Sequence, residues 1–518
     1  MLWVAMAEAA EVAEPAQDRP DARVVRAVAP AFLLFGLVAR LWMLVKPMGG
    51  LDADEAIVGL MARHILDGEF PMFYWGQTHG GPHEPLLTAA FFRVFGSSTL
   101  ILKGVAMLLA VSACVLIWRV GKRTVGEPAA TVAGLLFWVW PAAFVWWSVK
   151  SRGFYHAGLV IGLGILLLVL RLDERDSALD MAGLGALVAT GFWASPQTVF
   201  FTIPALGWLA FRMLWKRRFS LLVHVPSAVC GALLGAFPWW VHNIQNDWIA
   251  LKASPASIAM PAYGNHLRGF FVQGLPGALG LKLADGSRWM AGFFGRAWYF
   301  VLLALFVWAL VKLRDRTWLL LVMALLYPFL LALSPFSWFL DHPRYLYFLA
   351  PVLALLIARG LTALRWVGAV AGLVAAMVLT TSALATMNRD GVFYPSAEGV
   401  VIPEDLDPVF DYMLARGIDH VWADYWLAYV IAFESDERIT ATPYRGAIRN
   451  GAADAAVRNI PDPAYMFLFG SVTEPVFERE MAARGVDYER HEVGGFVIYH
   501  LPTNIGPEAI PAVPAAQP

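Results

Sequence analysis

The first long apolar run of the chain ends abruptly in acids. Pro30-Ala-Phe-Leu-Leu-Phe-Gly-Leu-Val-Ala-Arg-Leu-Trp-Met-Leu-Val-Lys-Pro47 is followed by Met48-Gly-Gly-Leu51-Asp-Ala-Asp-Glu-Ala56. The run is long enough to cross the hydrocarbon core of a bilayer. Three carboxylates, Asp52, Asp54 and Glu55, therefore stand where the chain leaves the membrane. Such groups are costly at that depth unless they are paired or used.

The rest of the chain repeats the pattern. Of 518 residues, 59% are apolar and only 15% are charged, against about 25% charged in an ordinary soluble domain. Further apolar runs lie near 99–118, 128–147, 154–171, 179–195, 198–215, 220–240, 292–312, 317–334, 345–360 and 364–386. The composition excludes a soluble fold, a disordered chain and a disulfide scaffold, and it lacks the short alternating segments of a membrane barrel. The expected fold class is mainly α: a polytopic helical bundle of about eleven spans. Cys114 and Cys230 both fall inside apolar runs.

Charge sets the sidedness. With the N-terminus inside, the inner loops carry Arg23/Arg26, Arg119/Lys122/Arg123, Arg171/Arg175, Lys216/Arg217/Arg218, Lys312/Arg314/Arg316 and Arg359/Arg365, as the positive-inside rule requires. An odd number of spans then puts the C-terminus outside. The net charge of −1 hides two unlike parts: from Asn388 onward there are 20 acidic residues, nine Arg and no Lys. The expected organisation is a disordered cytoplasmic N-terminus (1–28), a membrane module (29–387) with a first outer loop over 48–98, an extracytoplasmic α/β domain (388–505) and a frayed Pro-rich tail (506–518). The location that follows is the cytoplasmic membrane, with the C-terminal domain outside the cytoplasm.

In the first outer loop Ile57, Leu60, Met61, Ile65 and Leu66 recur at helical spacing, and Asp67-Gly68 is a stop signal. This predicts an amphipathic helix lying on the outer membrane face. Helix capping accounts for one acid at its start, not for three. A carboxylate that takes a proton from a hydroxyl is the sharper reading. The Asp52-x-Asp54 spacing also permits a divalent cation, with Asp52 and Asp54 as its ligands. Farther on, His79-Gly-Gly-Pro-His83-Glu84-Pro85 places His79, His83 and Glu84 on a shaped loop, where solvated side chains are the plain alternative.

Cations gather on the same side. Lys150-Ser-Arg152 precedes Tyr155, Arg344-Tyr345 follows Asp341 and His342, Arg63 lies on the loop helix, and Arg40 sits in the outer half of the first span. Outside turns should avoid Lys and Arg, so these break the rule that the inner loops obey. They suit a phosphate group, which Arg grips with two hydrogen bonds. Snorkelling or an ion pair such as Arg344–Asp341 is the structural alternative.

Asp54-Glu-Ala56 just after the first span, a surface helix, and a Gly/Pro-rich loop leading to Phe95-Gly-Ser97 together resemble the GT-C membrane glycosyltransferases. The nearest branch is the bacterial one with protein O-mannosyltransferases and the aminoarabinose transferase of lipid A. Lys150-Ser-Arg-Gly-Phe-Tyr155, Pro238-Trp-Trp-Val-His-Asn243 and Pro343-Arg-Tyr-Leu-Tyr347 with Pro351 extend the likeness over roughly 30–360. The resemblance implies a sugar donor on a polyprenyl phosphate, an acidic base in the first outer loop (Asp54, with Asp52 and Glu55 beside it), and cations such as Lys150, Arg152 and Arg344 on the phosphate. It implies a hexosyl- or pentosyltransferase with a lipid, glycan or protein acceptor and no nucleic-acid partner. One departure stands out: relatives acting on lipid A carry a Lys-Pro-Pro element late in this loop, where this chain has His83-Glu84-Pro85. The competing readings are a multi-pass transporter or flippase, an outer-face oligosaccharide ligase, and a membrane-anchored binding module.

Overall fold

The computed structural model describes residues 20–511 apart from 253–259, 284, 285, 287, 291, 312–315 and 334–342. Residues 1–19 and 512–518, and Asp341 and His342 beside Arg344, lie outside the described residues.

Each apolar run falls on a helix. In chain order these are α1 (Pro20–Leu44), α2 (Ala53–Leu66), α3 (His83–Phe95), α4 (Thr99–Thr124), α5 (Glu127–Val139), α6 (Ala142–Trp147), α7 (Tyr155–Glu174), α8 (Ala178–Ala194), α9 (Val199–Trp215), α10 (Val225–Gly235), α11 (Phe237–Gln245), α12 (Phe293–Val311), α13 (Thr317–Ala332), α14 (Ala350–Ala363) and α15 (Arg365–Arg389). Short helical turns link several of them. Among the described residues, five helices are long and apolar enough to cross a membrane, or six with the bent pair α10–α11. Helix α1 starts inside the segment expected to be disordered. Pro20 at its first position and Asp21 in its first turn favour that start, and Val25 is buried in the core.

Two runs expected to be continuous are broken. The run 128–147 stops at Trp140, which is extended (φ −158°), the conformation forced on a residue before proline. The run 220–240 bends by 71° between α10 and α11, where Pro238 in the first turn of α11 cannot continue the preceding ladder. Small residues set the closest helix contact: an added Cβ on Gly231 or Gly185 would strike the backbone of α8 or α10, so α8 and α10 touch main chain to main chain.

The basic loops gather at one end of the bundle. Asp173 receives Arg212, Lys216 and Arg316 there, and Glu127 receives Lys122. Along α4, Lys122 and Lys103 are separated by about 29 Å, close to the thickness of a bilayer core. The acids of the first loop therefore lie at the opposite end, beside Lys103.

Beyond α15, α16 (Asp407–Ala415), β1 (His420–Asp424), α17 (Tyr425–Glu434), β2 (Thr440–Arg445), α18 (Gly451–Asn459), β3 (Ala464–Leu468), α19 (Glu474–Arg484), β4 (Glu489–Val493) and β5 (Phe496–His500) form an α/β unit. The sheet order is β2-β1-β3-β5-β4, with β2, β1 and β3 parallel and β5 and β4 antiparallel. Alternation divides its residues between two cores. Trp422, Tyr465, Phe467 and Tyr499 face α19 and Phe477. Val421, Ala423, Met466, Leu468 and Ile498 face the side that also buries α17 and α2. The chain is still packed where the tail begins: the Tyr465 hydroxyl donates to the Ile505 carbonyl at 2.6 Å, and Pro507 is buried.

This arrangement corrects the reading of α2. Its second face does not meet water. Ala56 through Ala62 are all buried, because α17 covers the face expected to meet water. Gly59 permits the contact: a Cβ there would sit 2.3 Å from the Phe433 ring. Arg63 and His64 close the joint, Arg63 on Asp436 at 2.8 Å and His64 on Glu437 at 2.9 Å. A Gly59→Leu substitution should force α2 and α17 apart at a cost of about 1–3 kcal/mol. The measurable result is a lower unfolding temperature and faster proteolysis of the C-terminal domain; an unchanged protein would show that this joint is not close-packed.

Candidate active site

The first turn of α2 carries all three acids, and the chain folds so that each meets a different environment. Asp52 is the N-cap of α2, its carboxylate accepting the Glu55 N–H. Its two oxygens also take a bidentate pair from Arg152, at 2.9 and 2.8 Å, and Lys150 lies 3.2 Å away. Burial pushes the Asp52 carboxyl up, but Arg152, then Lys150 and Lys103, outweigh it and hold the group well below the usual carboxylate range.

Glu55 points inward and is fully buried. Its oxygens accept from Lys103 Nζ (2.8 Å), Lys150 Nζ (2.7 Å) and the Ser151 N–H (3.0 Å). With no exposed surface and every lone pair directed at a donor, it cannot reach an acceptor hydroxyl. That removes Glu55 from the catalytic candidates; it is a structural ion-pair centre.

Asp54 differs. Its side chain is 24% exposed, against 12% for Asp52 and 0% for Glu55. The Tyr425 hydroxyl donates to Oδ1 at 3.0 Å, and Arg152 reaches Oδ2 only at 3.5 Å. Its own carbonyl accepts from the Tyr74 hydroxyl at 2.9 Å. Of the three acids, it alone combines fixed orientation with access.

The turn 148–154 supplies the cations. Glu84, at the start of α3, holds that turn by accepting from Ser151 Oγ (2.6 Å) and the Arg152 N–H (3.0 Å). The His156 ring donates to the Lys150 carbonyl at 2.8 Å. Lys150 is wholly buried and Arg152 nearly so, so both are engaged by acids and neither stands open to a phosphate. Arg40 is likewise occupied, donating to Ser148 Oγ and to the Gly36 and Trp138 carbonyls over the Trp138 ring.

Around Asp54 the fold brings Tyr155, Arg344 and Tyr345 together. The Tyr155 hydroxyl lies within hydrogen-bonding reach of Tyr345 and Arg344, and the Asp54 charge acts on both tyrosines. His79 is near too; burial, then the charge of Arg449, lowers its pKa. Two candidates are not brought in. Arg63 is committed to the α17 joint, and His83 packs edge-on against Trp193 at 4.6 Å, where burial pushes it down to about 4.

The sequence reading missed Lys103, Tyr425 and Arg449. Lys103 had a signal, as the single charge within the run 99–118. Tyr425 and Arg449 had none, because only the docking of the C-terminal domain puts them here. A divalent cation does not fit the acids: both Asp52 oxygens are taken, and three cations already balance three carboxylates. Among the described residues no three His, Cys, Asp or Glu gather as a ligand set.

Residues 79–242 match the sequence model of the family described as dolichyl-phosphate-mannose-protein mannosyltransferase. No curated protein sequence matches the chain. The fold is similar to that of ArnT from Cupriavidus metallidurans bound to undecaprenyl phosphate, with a TM-score of 0.58 at 13% identity over 91% of this chain and 97% of that one. The apo state of that protein gives a TM-score of 0.58 at 12% identity over 92% and 98%. The Archaeoglobus fulgidus oligosaccharyltransferase gives 0.45 at 14% identity, over 91% of this chain and 72% of that one. The resemblance to GT-C membrane glycosyltransferases thus holds in the fold, that of a multi-pass membrane protein with a sheet-containing C-terminal domain.

Glu84 makes the site sensitive to pH. Burial, outweighing its hydrogen bond from Ser151, pushes its carboxyl from 4.5 up to about 7, and its buried Oε2 has no partner. The folded chain keeps this proton to higher pH than the unfolded chain, so its contribution to stability is complete below the unfolded value and is lost as pH rises through the folded one. Between about pH 4.5 and 7, the unfolding temperature of the wild type should fall with pH more steeply than that of Glu84→Gln, which mimics the neutral acid. Parallel profiles would count against a protonated Glu84.

Proposed function

We propose that the chain is a glycosyltransferase that moves one sugar, a hexosyl or pentosyl group, from a polyprenyl-phosphate donor to an acceptor hydroxyl at the outer face of the cytoplasmic membrane, with Asp54 as the base. The observation that carries this is the contrast among the three acids: Asp52 and Glu55 are saturated, whereas Asp54 is oriented and open. The undecaprenyl phosphate bound by the Cupriavidus protein supports the donor class.

In this reading the acceptor hydroxyl meets Asp54 and gives up its proton to it. The acceptor oxygen bonds to the anomeric carbon while the bond from that carbon to the phosphate oxygen breaks, through an oxocarbenium-like state. The electron pair leaves with the polyprenyl phosphate, which needs charge stabilisation rather than a proton. Asp54 then returns its proton to solvent. Tyr425 and Arg152 fix the carboxylate so that little reorganisation precedes transfer. The transporter reading has one matching feature, the bent pair α10–α11, but the ionised groups cluster at the ends of the bundle rather than along it.

Asp54→Asn should abolish sugar transfer, measured as release of polyprenyl phosphate, while membrane insertion and unfolding temperature stay near wild type. Near-normal transfer would remove Asp54 from the mechanism. Tyr425→Phe should retain transfer with kcat lowered about 10- to 100-fold and little change in KM, as expected for a lost orienting hydrogen bond.

A further inference from the structure

Arg449 is a cation near Asp54 that no acid pairs among the described residues. Asp52, Asp54 and Glu55 are matched by Lys103, Lys150 and Arg152. Arg449 stands apart from this balance. It lies on the loop between β2 and α18, half-buried. Its Nε donates to the Tyr425 hydroxyl at 3.4 Å, the same hydroxyl that donates to Asp54 at 3.0 Å. Its guanidinium lies 5.9 Å from the ring centres of both Tyr74 and Tyr425. Its backbone N–H is held by the Tyr429 hydroxyl at 2.6 Å, and Gly76 of the first outer loop packs against Ile448 and Arg449. No carboxylate pairs with it among the described residues, and its two Nη groups have no hydrogen-bond partner there.

We infer that Arg449, carried by the C-terminal domain, binds the phosphate of the lipid-linked donor. The inference rests on the proposed transfer reaction. Its logic is electrostatic. The leaving phosphate needs a cation within reach of the reacting carbon, and Lys150 and Arg152 are spent on Asp52, Asp54 and Glu55. In the first outer loop His83 is turned to Trp193 and Glu84 is buried. Arg449 is a guanidinium hydrogen-bonded at Nε, with two aromatic rings 5.9 Å away and both Nη groups left for a bidentate contact, the geometry that phosphate favours. One tyrosine hydroxyl separates it from the base, so Tyr425 sets the spacing between the acceptor's proton and the donor's charge. His79, within reach of the Arg449 charge, borders the same space.

The test is binding of a short-chain polyprenyl phosphate to the purified full-length protein, with the uncharged polyprenol as control. Arg449→Ala should weaken polyprenyl phosphate binding about 10- to 100-fold, the loss expected for a charged hydrogen-bonded contact, and leave polyprenol binding unchanged. Arg449→Lys should recover part of the loss. Unfolding temperatures without ligand identify any variant that has merely lost the domain joint. The inference is overturned if Arg449→Ala binds polyprenyl phosphate as the wild type does, if it weakens phosphate and polyprenol alike, or if its defect is confined to the KM of the acceptor. Failure of the wild type itself to bind any polyprenyl phosphate would instead sink the proposed reaction.

Discussion

The buried pairing of Glu55 with Lys103 and Lys150 is the constraint around which the rest of the site is arranged. A carboxylate without exposed surface is tolerable only when its charge is matched and its lone pairs are used. Satisfying Glu55 draws three parts of the chain to one point: the loop helix α2, the start of the spanning helix α4, and the turn after α6. Once they meet, Asp52 has no choice but to face Arg152, and Asp54, one residue before Glu55 and so rotated about 100° around the helix, points away from the cluster. The accessibility of Asp54 is a geometric consequence of burying Glu55.

Much of this architecture was legible from residue order. Apolar length placed the helices, and basic loops separated one end of the bundle from the other; Asp173 and Glu127 gather those loops as the charge pattern required. Asp52-Ala-Asp-Glu55 was visible as an anomaly, and so were Lys150 and Arg152 in a turn that should lack cations. Spacing alone could not tell which acid each cation would choose. Lys150 and Arg152, two of the charges that suggested phosphate binding, are consumed in holding the acids, a result fixed by ångström-scale geometry that periodicity does not encode.

The errors have a common origin. Reading α2 as a surface helix assumed that its second face met water. That face is covered by α17, whose sequence position is more than 350 residues away, and the small residue that permits the contact, Gly59, carries no signal in an isolated helix. Breaks at Trp140 and Ala236 were signalled by the prolines that follow, but a hydropathy window averages over them. Tyr425 and Arg449 reach the site through the same long-range docking and were illegible for the same reason.

The position of Tyr425 has a consequence for biogenesis. The apolar helices α1 to α15 precede it, so they are made before the residue that fixes Asp54 has been synthesised. The emerging protein passes through a stage in which these helices exist but the hydrogen bond that orients Asp54 does not. The orientation of Asp54 is therefore tied to the folding of the domain that carries Tyr425 and to its seating on α2.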